Sequence, residues 1–372
     1  MDHLAAVTIL AQDLVRLDSR SAVLNGDVAD RIVRELRGFE VERLEFTDPA
    51  GVPKCVLVAA RGAGGLALSG HMDTVPETGW QDDPWSGRIE GDILHGLGST
   101  DMKGPLAALI VAARALPERV PVALLITTDE ENTKQGARLI VDASALARRF
   151  GPRGILVAEP TGMVPVRGHR AHIAFTATAT GVQAHSSTGR GRNANWALLP
   201  FLTDMRAVFD RLQTDASLQD PAYDPPFSDF NLTLDNHGAA VNVTVPKATA
   251  QIKFRYSASL DPTPIIDAVR RAADRAGIEL SEAREGSPPE LPSDHPLIRQ
   301  AAELTGQPPR TVPYGTDASV LQSMAPCLIL GPGDIHQAHR PTEQVSLSDL
   351  AAAVRAFMQL AERVANDMPS RN

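Results

Sequence analysis

Aromatic side chains are scarce, at 4% of a 372-residue chain, so the interior must rest on Ala, Val, Leu and Ile. Cysteine is scarcer: Cys55 and Cys327 are the only two. Each lies in an apolar run, Cys55-Val-Leu-Val and Cys327-Leu-Ile-Leu, the setting of a buried reduced thiol. Neither has the spacing of a thiolate zinc site. A basic excess is also lacking, because 36 Lys and Arg face 45 Asp and Glu for a net charge of −9. That balance argues against non-specific nucleic-acid binding. It leaves an acidic small substrate open, since one local arginine can reverse the field inside a cleft. No apolar run approaches the ~20 residues that span a bilayer, and the N-terminus lacks a basic stretch followed by an apolar core. A cytoplasmic protein without a membrane partner is the expectation.

What is present is an ordinary globular composition, 43% hydrophobic and 22% charged, in a chain long enough for two domains. Residues 4–37 carry helical periodicity through Leu14, Val15, Val28, Ile32, Val33 and Leu36. Strands are expected at 55–60, 66–69, 122–128, 155–158 and 327–330, and helices at 106–116, 136–150 and 350–364. Alternation of this kind implies an α/β fold, a mostly parallel sheet sandwiched by helices. In such sheets ligands bind beyond the carboxyl ends of the strands. His71, Glu130, Glu131, Glu159 and His339 all follow expected strands and can converge on one cleft.

The middle of the chain reads differently. Residues 172–180 and 249–256 alternate with the period of half-exposed strands, and 195–212 and 263–276 read as amphipathic helices. A short strand is expected at 278–280, a loop at 214–229, and a return linker at Pro288, Pro289 and Pro292. The expected division is a catalytic domain of 1–167 and 287–372, interrupted by an inserted α+β lid or dimerisation domain of 168–286. The latter would hold a four-stranded antiparallel sheet and two helices.

The chemistry lies in His71, Asp73, Asp101, Glu130, Glu131, Glu159 and His339. Carboxylates crowd into a cleft only when cations neutralise them. Imidazole and carboxylate without thiolate suit Zn²⁺, Co²⁺ or Mn²⁺, and the ligand count suits two such ions. Between the tandem acids Glu130 and Glu131, either can be the ligand on chemistry alone. His336 competes with His339 in one loop, and His95, His169, His172 and His237 read as ordinary surface or core residues.

The order of these residues resembles a known family. Ser69-Gly70-His71-Met72-Asp73-Thr74-Val75-Pro76 is followed by Gly96-Leu97-Gly98-Ser99-Thr100-Asp101-Met102-Lys103-Gly104, Thr128-Asp129-Glu130-Glu131 and Ala158-Glu159-Pro160-Thr161. Gly181 to Ser187, Val241 to Pro246, and Gly331 to Asp334 with Ala338-His339 and Glu343 continue it. The set is similar to the metallopeptidase family containing acetylornithine deacetylase, succinyl-diaminopimelate desuccinylase and glutamate carboxypeptidase. It covers almost the whole chain.

The resemblance implies that His71 and Glu159 hold one zinc-type ion, Glu131 and His339 the other, with Asp101 bridging. Asp73 would orient His71, Glu130 would be the general base, and His185 would stabilise the oxyanion from a second copy in a homodimer. Arg255 would grip a substrate carboxylate, with Asn242 and Thr316 completing the pocket. The implied reaction is removal of an acetyl or succinyl group from a small N-acyl amino acid. A dipeptidase or carboxypeptidase on the same scaffold is the alternative, and an inactive binding protein a third reading.

Overall fold

A computed structural model of the chain describes residues 2–367, which fall into two compact units. One comprises the chain up to Gly168, Pro289–Arg310 and the chain from Thr316 onward; the other comprises His169–Pro288 and Thr311–Gly315.

The larger sheet has eight strands, six of them wholly within the first unit. Its strand order is Glu40–Thr47, Pro53–Arg61, Val122–Thr127, Leu66–His71, Gly154–Val157, Cys327–Ile329, Val166–His169 and Arg310–Val312. The four strands from Val122–Thr127 to Cys327–Ile329 run parallel, whereas Glu40–Thr47 and Pro53–Arg61 are antiparallel additions at one side. The parallel strands are wholly buried, as expected where helices cover both faces. Glu40–Thr47 has no buried residue and carries four charges, as befits a strand at the edge. Helix Lys103–Ala115 is buried from Lys103 to Ala113, so it is apolar all round and lies at the centre of a layer with His3–Val15 and Leu347–Asn366.

The periodicity over 4–37 resolves into two helices, His3–Val15 and Gly26–Val33. The segment between them is taken from the helix by the loop that follows His71. Ser21 N–H donates to Thr74 O at 3.0 Å, and Thr74 N–H to Ser19 O at 3.2 Å. The helical stretch 136–150 likewise divides into Gln135–Ala143 and Ala145–Phe150, where Ser144 leaves helical backbone and caps the second with its hydroxyl.

The second unit has a four-stranded antiparallel sheet in the order Phe230–Asp235, Lys247–Tyr256, Ala171–Thr180 and Glu279–Arg284. Ala171–Thr180 buries every second residue, and Ile173, Phe175, Ala177 and Ala179 meet apolar residues of helices Ala194–Thr214 and Thr263–Ala276 in a core of their own. Phe230–Asp235 was not legible as a strand, since it lies at an edge with all but Phe230 exposed. Among the described residues no helix is long and apolar enough to cross a membrane.

Cys55 and Cys327 are both 2% exposed, and burial pushes both thiols up from their ordinary pKa. Iodoacetamide at pH 8 is therefore expected to leave the folded chain unmodified and to label both cysteines in denaturant, as read by intact mass. Labelling of the native chain within minutes would contradict the packing.

Candidate active site

Because the central strands are parallel, their carboxyl ends lie side by side. His71 closes Leu66–His71, Glu130 and Glu131 follow Val122–Thr127, and Glu159 follows Gly154–Val157. His339 lies in the loop after Cys327–Ile329, and Asp101 precedes helix Lys103–Ala115. Gly331 lets that loop pass the end of the neighbouring strand, since a Cβ there would lie 2.3 Å from Ala158 O.

Asp101 stands at the middle of the group. Its Oδ1 is 3.1 Å from His71 Nε2 and its Oδ2 is 3.4 Å from His339 Nε2. Glu159 Oε1 lies 3.9 Å from His71 Nε2, and Glu131 Oε1 3.1 Å from His339 Nε2. Glu130 can offer an oxygen within 4.8 Å of donors from His71 and Glu159. His336 and His339 are both exposed, but it is the ring of His339 that reaches Asp101 and Glu131, so His339 is the histidine this loop brings to the group.

The tautomer of His71 bears on what the group can hold. Its Nδ1 lies 2.9 Å from the main-chain oxygen of Asp73, an acceptor only, so Nδ1 carries the hydrogen. The lone pair on Nε2 then faces carboxylate oxygens of Asp101 and Glu159. Acceptors facing acceptors at this range need a proton or a cation between them. Donors on one tetrahedral ion stand about 3.4 Å apart, close to the separations here. The residues therefore fit a pair of divalent cations.

The Asp73 carboxylate does more than accompany His71, whose Nδ1 is 3.5 Å from Asp73 Oδ1. It accepts the main-chain N–H of Glu130 at 3.2 Å and of Glu131 at 3.3 Å, and the hydroxyl of Ser21 at 2.8 Å. One fully buried acid thus fixes the main chain of both tandem glutamates.

The Peptidase_M20 model, described as peptidase family M20/M25/M40, matches residues 67–363. The chain is 31% identical over 343 residues to acetylornithine deacetylase of Proteus mirabilis (strain HI4320), covering 88% of this chain and 87% of that protein. This chain belongs to the M20 metallopeptidase family.

Solved structures share the fold at lower identity. The carboxypeptidase Sso-CP2 of Sulfolobus solfataricus, an M20 metallo-carboxypeptidase, superposes with a TM-score of 0.74 at 16% identity, over 96% of this chain and 98% of that one. Human carnosine dipeptidase 1 gives 0.71 at 15% identity, over 98% and 97%. The Bacillus subtilis YXEP protein, a dinuclear metal binding peptidase from the M20 family, gives 0.67 at 16%, over 98% and 99%.

The electrostatics of this M20 site follow from crowding. Burial and the charge of Asp101 push Glu131 up to about 7 and Glu159 well above the carboxylate range. Burial opposes protonation of His71, but Asp101 and Asp73 outweigh it and hold its pKa well above the usual value. Asp101 and Glu131 together raise His339 to about 11. Burial would raise Asp101, yet the two imidazoles hold it below its ordinary value.

Sequence reasoning missed the cations behind the ligands. Lys54, Lys103 and Lys134 are at most 4% exposed. Lys54 Nζ lies 3.4 Å from Asp129 Oδ1 and donates to Ser21 O and Val23 O. Lys103 donates to Leu17 O, and burial brings it down to about 8, against the opposing charge of Glu343. Glu343 Oε1 accepts the N–H of both Thr100 and Asp101 at 2.9 Å, which sets Asp101 in place. Lys103 and Glu343 stand within the quoted motifs, but only the fold shows that they are buried.

The remaining expected residues are placed as follows. His185, Asn242 and Arg255 belong to the second unit, and Thr316 to the first. Ser187 N–H donates to His185 Nδ1 at 3.3 Å, which leaves Nε2 of the neutral ring as a hydrogen-bond donor. Asn242 stands beside it, its main-chain oxygen accepting Ser186 N–H at 3.0 Å. Arg255 Nη1 is already paired with Asp229 Oδ2 at 2.6 Å, a contact the sequence reading did not include. Thr316 is buried, and its hydroxyl accepts Ala318 N–H at the start of Ala318–Leu321.

Proposed function

We propose that the chain is a dinuclear metal-dependent amidohydrolase that removes an acetyl or succinyl group from a small N-acyl amino acid. The observation that carries this reading is Asp101, whose two oxygens face two different histidines while Glu159 and Glu131 flank them. His71, Glu159 and Asp101 would hold one ion, and Glu131, His339 and Asp101 the other, with Zn²⁺ the expected metal and Co²⁺ or Mn²⁺ able to replace it. Two bound cations would polarise the scissile carbonyl and lower the pKa of a water between them toward ~7.

The chain's own groups do the rest. Glu130, beside the ligand Glu131 but not required as one, takes the proton of the attacking water and hands it to the leaving amine. Asp73 keeps the pair in register by binding both main-chain N–H groups. His185 of a second copy would donate from Nε2 to the developing oxyanion. Arg255 would grip the substrate carboxylate while sharing its charge with Asp229, and Asn242 and Thr316 would complete the substrate-binding set.

The deacylase reading draws on the relatives named acetylornithine deacetylase; the dipeptidase and carboxypeptidase among the structural neighbours keep peptide hydrolysis as the second reading. The test is amine release from N-acetylornithine, N-acetylcitrulline, N-succinyl-diaminopimelate, other N-acyl amino acids and unblocked dipeptides. Faster kcat/KM on N-acyl amino acids is expected. Preference for dipeptides would transfer the chain to the peptidases.

A homodimer is also proposed, formed through the second unit as a dimerisation domain in a cytoplasmic enzyme. Trp196 and Leu199, one turn apart on Ala194–Thr214, are 71% and 45% exposed, and Leu234 on the edge strand is 60% exposed. Such apolar exposure is what a partner surface covers. Trp196→Glu with Leu234→Asp is expected to give a monomer by light scattering and to cost most of the turnover while metal content stays at the wild-type level. A fully active monomer would remove the role of His185 in a second copy.

A further inference from the structure

Hydrolysis as just described asks for no cation behind the general base, yet one is there. Lys134 Nζ lies 2.8 Å from Glu130 Oε1, with the two side chains only 5% and 10% exposed. Lys54 and Lys103 face acids that support the ligands from behind; Lys134 touches the base itself.

The contact is built by the main chain. Asp129 O accepts the N–H groups of Asn132, Thr133 and Lys134, so residues 129–134 fold back tightly on themselves. Lys134 then adopts φ 54° and ψ 28°, left-handed backbone that a non-glycine residue keeps only where its surroundings demand it. Two residues later Gly136 presses on the strand end, since a Cβ there would lie 2.4 Å from Thr128 O. The lysine stem therefore starts from a fixed point, and four residues from Glu130 in sequence its ammonium returns to that carboxylate.

The charge of Lys134 also acts on Asp317, which is 1% exposed and accepts the Thr127 hydroxyl at 2.5 Å. Thr127 ends the strand that leads into Glu130. A cation that stabilises both acids at one strand end has little freedom to swing away.

A glutamate has three rotatable bonds, and a general base works only when one oxygen points at the proton it takes. We propose that Lys134 is a positioning residue that holds Glu130 Oε1, so that Oε2 is presented to the attacking water. The proposal rests on the assignment of Glu130 as general base.

The test is a double-mutant cycle on the Zn²⁺-loaded enzyme with the best N-acyl amino acid. Lys134→Met is expected to lower kcat about 10- to 100-fold, as for a misplaced reacting group, with KM within about twofold. Lys134→Arg should recover most of that loss, because it restores the charge. The visible spectrum and stoichiometry of the Co²⁺-substituted variant should match the wild type. In a Glu130→Ala background Lys134→Met should change nothing further. Lys134→Gln replaces Lys134→Met if the latter does not fold. Wild-type kcat in Lys134→Gln, an altered Co²⁺ spectrum, or an equal loss in the Glu130→Ala background would each overturn the proposal. Full activity of Glu130→Ala alone would instead overturn the base assignment, so the two failures are distinguishable.

Discussion

Glu130→Ala is expected to lower kcat by about 10²–10⁴-fold and to leave the binding of two cations intact, the range for loss of a general acid–base group. The opposite result is expected at the adjacent Glu131: Glu131→Ala should lose metal, because its Oε1 is the one beside His339 Nε2. The contrast is informative since the two residues share one loop and one anchor, Asp73. A fold-level disturbance would affect both variants alike. Turnover measured beside metal content by mass spectrometry separates them. Equal metal loss in both would mean that Glu130 is a ligand, as its proximity to His71 and Glu159 allows.

The second large effect is on stability and follows from protons that stand where the proposed cations would bind. In cation-stripped protein Glu131 titrates at about 7 against 4.5 for a free glutamate, and Glu159 lies well above its ordinary value. The contribution of Glu131 to stability is full below ~4.5 and is lost as pH rises through ~7. That of Glu159 has the same sign and is lost as pH rises through its own raised value. His339, raised from 6.5 to about 11, and His71, also raised, have the same sign, full below ~6.5 and lost on going through the folded-state pKa. Asp101, lowered from 3.8, has the reverse sign and loses its contribution only in strong acid.

Between pH 5 and 8 the stripped protein should therefore become steadily less stable. Cations replace those protons, so the loaded protein should vary little, and the gap in Tm should widen with pH. Each 1 kcal/mol corresponds to roughly 2–4 °C in a chain of this class. Calorimetry in buffers of different ionisation enthalpy should show about two or more protons released per loaded site at pH 7. Loading without proton release, or a Tm gap that narrows from pH 5 to 8, would contradict the electrostatics.

Much of this was legible in the sequence because the physics is local. An uninterrupted apolar run followed by an acid or a histidine marks a buried parallel strand and its functional end, and Val122 to Glu131 is such a run. The two-sheet architecture followed from the change of period at residues 172–180, where burial alternates as read. Glu40–Thr47 and Phe230–Asp235 escaped notice because edge strands bury little and their apolar signal is weak.

What sequence could not supply was the set of charges behind the site. Lys54, Lys103 and Lys134 look like surface lysines in one dimension; only the fold shows each enclosed with an acid from another part of the chain or the far side of a turn. The pairing of Arg255 with Asp229 was hidden for the same reason, since 26 residues separate them. Ser21 lies in a linker that the helical period had absorbed, yet its hydroxyl reaches Asp73.

The most direct measurement is a Co²⁺ titration of stripped protein, following visible absorption and amine release in the same cuvette. The account predicts that both signals saturate at two equivalents and that Asp101→Asn, which weakens the shared ligand, loses the second equivalent and the turnover together. Full turnover in excess chelator, or undiminished two-ion activity in Asp101→Asn, would contradict it.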